Sequence, residues 1–117
     1  MREERRPPFQ RLSATELAAW VSGAVRPSAE FSILDVREPF EVELAALPTA
    51  VTIPLREIPH RIGELDPDRV WVVMCHHGVR SAQVCQFLAG HGFEQLHNLS
   101  GGIDAWSLEV DPTVPRY

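Results

Sequence analysis

The sequence predicts an α/β fold, with a mainly parallel central sheet and helices on both faces. Short strand-like apolar runs alternate with segments of helical periodicity, and that alternation implies parallel strands joined by crossover helices. The run at 70–74, Val-Trp-Val-Val-Met, is apolar throughout and reads as a buried strand. With 117 residues, 44% of them hydrophobic, the chain suffices for one domain with a single packed core, without metal or disulfide to hold it.

Residues 1–10 read as a flexible arm ending in Pro7-Pro8, residues 11–110 as the domain, and residues 111–117, with two prolines, as an extended tail. Ser13 and Glu16 fit a capping box. Leu17, Trp20 and Val21 then recur at helical spacing, and Gly23 ends that helix. Residues 31–36 form the first short strand, and Pro39 stands near the first turn of a short helix over 39–44. A second strand, 50–53, is closed by Pro54. A helix over 57–65 puts Ile58, Ile62 and Leu65 on one face, and Asp66-Pro67-Asp68 is a turn. After the 70–74 strand comes a helix over 81–90 with Val84, Phe87 and Leu88 apolar, stopped around Gly90 and Gly92. A short strand near 95–97 and Gly101-Gly102 lead to a last helix over 103–108. Trp20 and Trp106 sit at helical spacing with other apolar residues and are expected to pack in the core.

Composition excludes several functions. Eleven Lys and Arg against sixteen Asp and Glu leave a net charge of −5, which argues against a nucleic-acid partner. The basic cluster of Arg2, Arg5, Arg6 and Arg11 is interrupted by Glu3 and Glu4 and reads as a solvated arm. No apolar run approaches the ~18 residues of a membrane span, and residues 1–13 lack the apolar core of a signal peptide. No membrane partner is expected. Two cysteines, Cys75 and Cys85, are too few for a secreted disulfide scaffold. These features favour the cytoplasm, where a thiol stays free.

In open α/β sheets ligands sit beyond the carboxyl ends of the strands. Cys75 lies at such an end, and so does Asp35, followed by Arg37. A cysteine nucleophile acts as its thiolate, which positive charge and helix N-termini stabilise. The helix after the loop directs its first N–H groups back toward Cys75. A tight turn at Gly78 can point further N–H groups inward, and Arg80 adds a permanent charge. His76 and His77 add more when protonated.

The loop Cys75-His76-His77-Gly78-Val79-Arg80-Ser81 resembles the active-site loop of the rhodanese family of sulfurtransferases: a C-x4-R loop after an apolar strand. Residues 32–41 (SILDVREPFE), 50–55 (AVTIPL) and 87–106 (FLAGHGFEQLHNLSGGIDAW) are similar to further segments of that family, in the same order. Coverage runs from about Leu12 to Trp106. The resemblance implies a rhodanese-like fold and a thiosulfate sulfurtransferase in which Cys75 is the nucleophile and residues 76–81 form the substrate-binding loop. It implies that a donor such as thiosulfate leaves a persulfide on Cys75, from which cyanide or a thiol takes the sulfur. Phosphatases of the cell-cycle type share the fold with five residues between Cys and Arg. Here there are four, His76 to Val79, a smaller cradle that suits one sulfur better than a phosphate. One departure is the run Ala46-Leu47-Pro48-Thr49-Ala50, where the family usually has His-Ile-Pro-Gly-Ala.

Each residue also has a plainer reading. Asp35 and Arg37 are expected to hold the rim together rather than touch substrate, and Arg80 to pair with an acid such as Asp35. Adjacent histidines in a tight turn aim poorly at one ion, and no carboxylate is spaced to complete a tetrahedral set, so neither metal nor cofactor is expected. Cys85 is expected to be buried and inert. The rival functions are a persulfide carrier or interaction module for a protein partner, with a protein as sulfur acceptor, and a small phosphatase or arsenate reductase on the same fold.

Overall fold

The computed structural model describes residues 7–117. One sheet of five strands runs through it: β1 Gln10–Leu12, β2 Phe31–Asp35, β3 Val51–Thr52, β4 Val70–Met74 and β5 Leu96–Leu99. The order is β1-β5-β4-β2-β3, and every pairing is parallel. The helices are α1 Ala14–Ser22, α2 Pro39–Leu44, α3 Ile58–Arg61, α4 Val79–Ala89 and α5 Gly102–Glu109. Strand β4 lies at the centre, and all five of its residues are buried. Its side chains alternate between two cores. Trp71 and Val73, with Cys75 following, pack with Ile58, Val84 and Leu88 of α3 and α4. Val72 and Met74 pack with Leu17, Ile103 and Trp106 of α1 and α5. Helices therefore cover both faces, which is the α/β architecture the alternation predicts.

Local chemistry explains most elements. Ser13 Oγ accepts the Glu16 amide at 3.1 Å while the Ser13 amide donates to Glu16 at 2.9 Å, completing the capping box of α1. Gly23 ends α1 at φ 82°. Val21, grouped with Leu17 by spacing, is exposed. The helix predicted over 57–65 is instead a 3₁₀ turn Leu55–Glu57, the four residues of α3, and a second 3₁₀ turn Ile62–Glu64. Pro59 has no N–H to give the Leu55 carbonyl, which accepts from Ile58 instead. Ile58 and Leu65 still reach the core. Helix α4 begins two residues before the predicted start, at Val79 rather than Ser81.

Described residues near both termini take part in structure. Of the predicted arm, residues 1–6, with Arg2, Arg5 and Arg6, lie outside the described residues. Gln10 belongs to β1, which pairs with β5 from Gln10–His97 to Leu12–Leu99. The tail does not run out extended. Val114 donates its amide to the Asp111 carbonyl at 3.1 Å in a turn, and its side chain packs on the α1/α5 core. Among the described residues, no helix is long and apolar enough to cross a membrane.

Candidate active site

Strand β4 ends with Met74 in register with Asp35 of β2, and the chain leaves the sheet at Cys75. Gly78 makes the following turn possible. Its φ is 106°, a region that side chains resist, and an added Cβ would press on the Leu99 carbonyl and Gly101 amide at 3.4 Å. The turn aims N–H groups inward. The Gly78 amide donates to Cys75 Sγ at 3.1 Å and the Ser81 amide at 3.4 Å. The Ser81 hydroxyl lies 3.3 Å from the same sulfur. Helix α4 begins at Val79, so the positive end of its dipole faces the loop. Cys75 itself is 1% exposed, so the sulfur sits at the floor of the cradle.

The cradle is held from behind. The Ile103 amide donates to the Cys75 carbonyl at 3.0 Å and the Asp104 amide to the His76 carbonyl at 3.2 Å. Helix α5 comes so close that a Cβ on Gly102, whose φ is 59°, would lie 2.4 Å from both carbonyl oxygens. Turning these carbonyls toward α5 leaves the loop's inner side to its N–H groups. Buried Asn98 of β5 adds a third tie: its Nδ2 donates to the Gly78 carbonyl at 3.0 Å, and its Oδ1 accepts the Ser81 hydroxyl.

The charges pair differently from the sequence expectation. Arg80 does not meet Asp35. Its two terminal nitrogens grip both carboxylate oxygens of Glu41 on α2, at 2.6 and 2.9 Å. The Arg80 guanidinium holds the Glu41 carboxyl down to about 2, with help from the Glu38 amide and the Tyr117 hydroxyl. Asp35 is already taken, because Arg37 folds back on it with bonds of 2.9 and 2.7 Å. Both side chains of that pair are fully buried. Arg37 also donates to the carbonyls of Glu41 and Ala45. The pair thus lies beneath α2 and fixes the helix that carries Glu41, rather than lining an open rim.

The two histidines differ. The His76 ring stacks between His77 and Tyr117, each 3.9 Å away between centroids. Burial, reinforced by His77, pushes His76 below the ordinary histidine range, so it adds little positive charge at neutral pH. Asp104 supplies the carboxylate that spacing did not foresee: ligand atoms of His76, His77 and Asp104 lie within 4.8 Å of one another. Arg116 donates to Asp104 at 2.9 Å, so that carboxylate already has a cationic partner. Cys85 lies on α4 in the same core as Cys75, and both are free thiols. Burial pushes the Cys85 thiol up to about 12, with the Cys75 charge adding to it, so it stays protonated.

Residues 13–109 match the rhodanese-like domain family. The chain belongs to that family. The chloroplastic Rhodanese-like/PpiC domain-containing protein 12 of Arabidopsis thaliana is 42% identical over 92 residues, covering 75% of this chain and 31% of that one. The chain therefore spans under a third of that relative's length. A protein of Shewanella oneidensis named thiosulfate sulfurtransferase GlpE is 30% identical over 98 residues, covering 84% of this chain and 92% of its own. The crystal structure of a rhodanese-related protein from Thermoplasma volcanium superposes with a TM-score of 0.78 at 29% identity, over 93% of this chain and all of that one.

In this rhodanese-like chain the structure brings Cys75 through Ser81 into one turn, as their adjacency requires. Glu41, Asn98 and Tyr117 were not anticipated. Asn98 left a legible signal, a polar residue inside a short apolar strand. Glu41 is one acid among sixteen Asp and Glu and left none.

Proposed function

We propose that this chain is a sulfurtransferase that moves a sulfane sulfur from a donor such as thiosulfate to cyanide or a thiol, through a persulfide on Cys75. The observation that carries the reading is the pair of backbone donors converging on Cys75 Sγ, the Gly78 and Ser81 amides at 3.1 and 3.4 Å. Fixed donors of this kind stabilise a thiolate without reorganising. The thiolate attacks the outer sulfur of thiosulfate. The sulfur–sulfur bond breaks, sulfite leaves with the bonding pair, and the outer sulfur stays on Cys75 as Cys–S–S⁻. The acceptor then attacks that sulfur and the Cys75 thiolate leaves, giving thiocyanate from cyanide or a new persulfide from a thiol.

The four-residue spacing between Cys75 and Arg80 supports a single sulfur as cargo over a phosphate. The name of the Shewanella relative supports thiosulfate as donor. Two free thiols suit a reducing compartment, and the reading assigns the reaction to the cytoplasm. Intact mass spectrometry after incubation with thiosulfate tests the mechanism. The wild type should gain one sulfur atom and lose it to cyanide, and Cys75→Ser should gain none. Sulfur uptake by Cys75→Ser, or no uptake by the wild type, sinks the reading.

A further inference from the structure

Residues 111–117 lie beyond the family match, yet they return to the loop. Three fastenings bring them there. Val114 packs on the α1/α5 core, the Ser107 hydroxyl donates to the Val114 carbonyl, and Arg116 pairs with Asp104 of α5 at 2.9 Å. Tyr117 then touches both ends of the cradle. Its ring lies parallel to His76, 8° apart and 3.9 Å between centroids. Its hydroxyl donates to Glu41 Oε2 at 2.8 Å and accepts from Arg37 Nη1 at 2.8 Å. His76 directly follows Cys75, and Glu41 grips Arg80 at the loop's far end. One side chain therefore spans from the residue after the sulfur to the carboxylate that fixes Arg80. Burial pushes the phenol up to about 12, so the hydroxyl keeps its proton and goes on donating to Glu41.

We propose that Tyr117 is a positioning residue for the sulfur-transfer loop: it fixes His76 by stacking and Arg80 through Glu41, and so keeps the Gly78 and Ser81 amides aimed at the Cys75 sulfur. The proposal rests on the reading of Cys75 as the sulfur carrier. It makes a segment outside the family match part of the site's machinery. Arg37 joins the same device, since it donates to the Tyr117 hydroxyl and braces α2 from below.

Two variants of the full chain separate the contacts. Tyr117→Phe keeps the ring and removes the hydroxyl, and Tyr117→Leu removes the stack as well. The readout is the pH midpoint of Cys75 alkylation by iodoacetamide at one salt concentration, with Cys75→Ser as the blank. This measurement needs no sulfur transfer and reads the stabilisation of the thiolate rather than the stability of the fold. The midpoint should move to higher pH in Tyr117→Phe and further in Tyr117→Leu. In Tyr117→Leu, kcat/KM for sulfur transfer should fall by about tenfold, the scale of one hydrogen bond to a charged group. A wild-type midpoint in Tyr117→Phe overturns the proposal, whatever happens to the unfolding temperature. If the midpoints shift as expected but the wild type takes up no sulfur, the sulfurtransferase reading fails and the positioning role stands.

Discussion

At the scale of single residues, Arg80 is already committed before any donor arrives. Both of its terminal nitrogens are on Glu41, whose carboxyl is held at about 2. The planar fork closes the loop as much as it supplies charge, and a lysine cannot reproduce two parallel bonds. Arg80→Lys should lose on the order of 10²-fold in kcat/KM, the scale of one well-placed electrostatic group. The pH midpoint of Cys75 alkylation should rise with it. Near-normal sulfur transfer together with an unchanged midpoint would leave the loop amides as the sole cradle. The sequence made Arg80 visible as a charge at a fixed distance from Cys75. It did not make its partner visible, because Glu41 lies 39 residues away on another element.

At the scale of elements, glycines with positive φ do different work. Gly23 and Gly102 both have positive φ, but a Cβ on Gly23 meets nothing within 4 Å. A Cβ on Gly102 runs into the Cys75 and His76 carbonyls at 2.4 Å. Gly23→Ala should therefore cost only backbone strain, about 1 kcal/mol, and leave sulfur loading intact. Gly102→Ala should cost at least about 2 kcal/mol and also reduce loading, because α5 must retreat from the carbonyls it holds. Urea unfolding read beside intact mass after thiosulfate checks both. Equal effects of the two variants would mean that the approach of α5 does not shape the loop. The Gly101-Gly102 pair was legible in sequence as the opening of a helix. The reason for two glycines there appears only where α5 meets the loop.

At the scale of the whole molecule, the Glu41 network couples the site to acid stability. The Glu41 carboxyl titrates at about 2 in the folded chain against an ordinary 4.5. Between those values the unfolded chain binds more protons, so stability falls as pH falls from 4.5 toward 2. The stabilisation is fully present above 4.5 and amounts to about 3 kcal/mol. Glu41→Gln should remove this contribution, so its stability, measured by denaturant, should fall less steeply than the wild type's between neutrality and about pH 3. Identical slopes would show that Arg80 does not hold Glu41 in solution. The sequence by itself determined the α/β class, the central apolar strand, the capping box of α1 and the adjacency of Cys75 through Arg80. Each rests on periodicity or spacing within a few residues, and local sterics and hydrogen bonding act at that range. Only the tertiary structure decided that Gln10–Leu12 joins the sheet beside β5, since three residues at an edge carry no readable period. It also decided that Pro59 leaves the predicted helix in three pieces. The pairing of Arg80 with Glu41 and the return of Tyr117 to His76 join residues far apart in the chain. Such contacts are set by how helices and strands pack, and a charged or aromatic side chain reads the same in sequence whichever partner the packing brings to it.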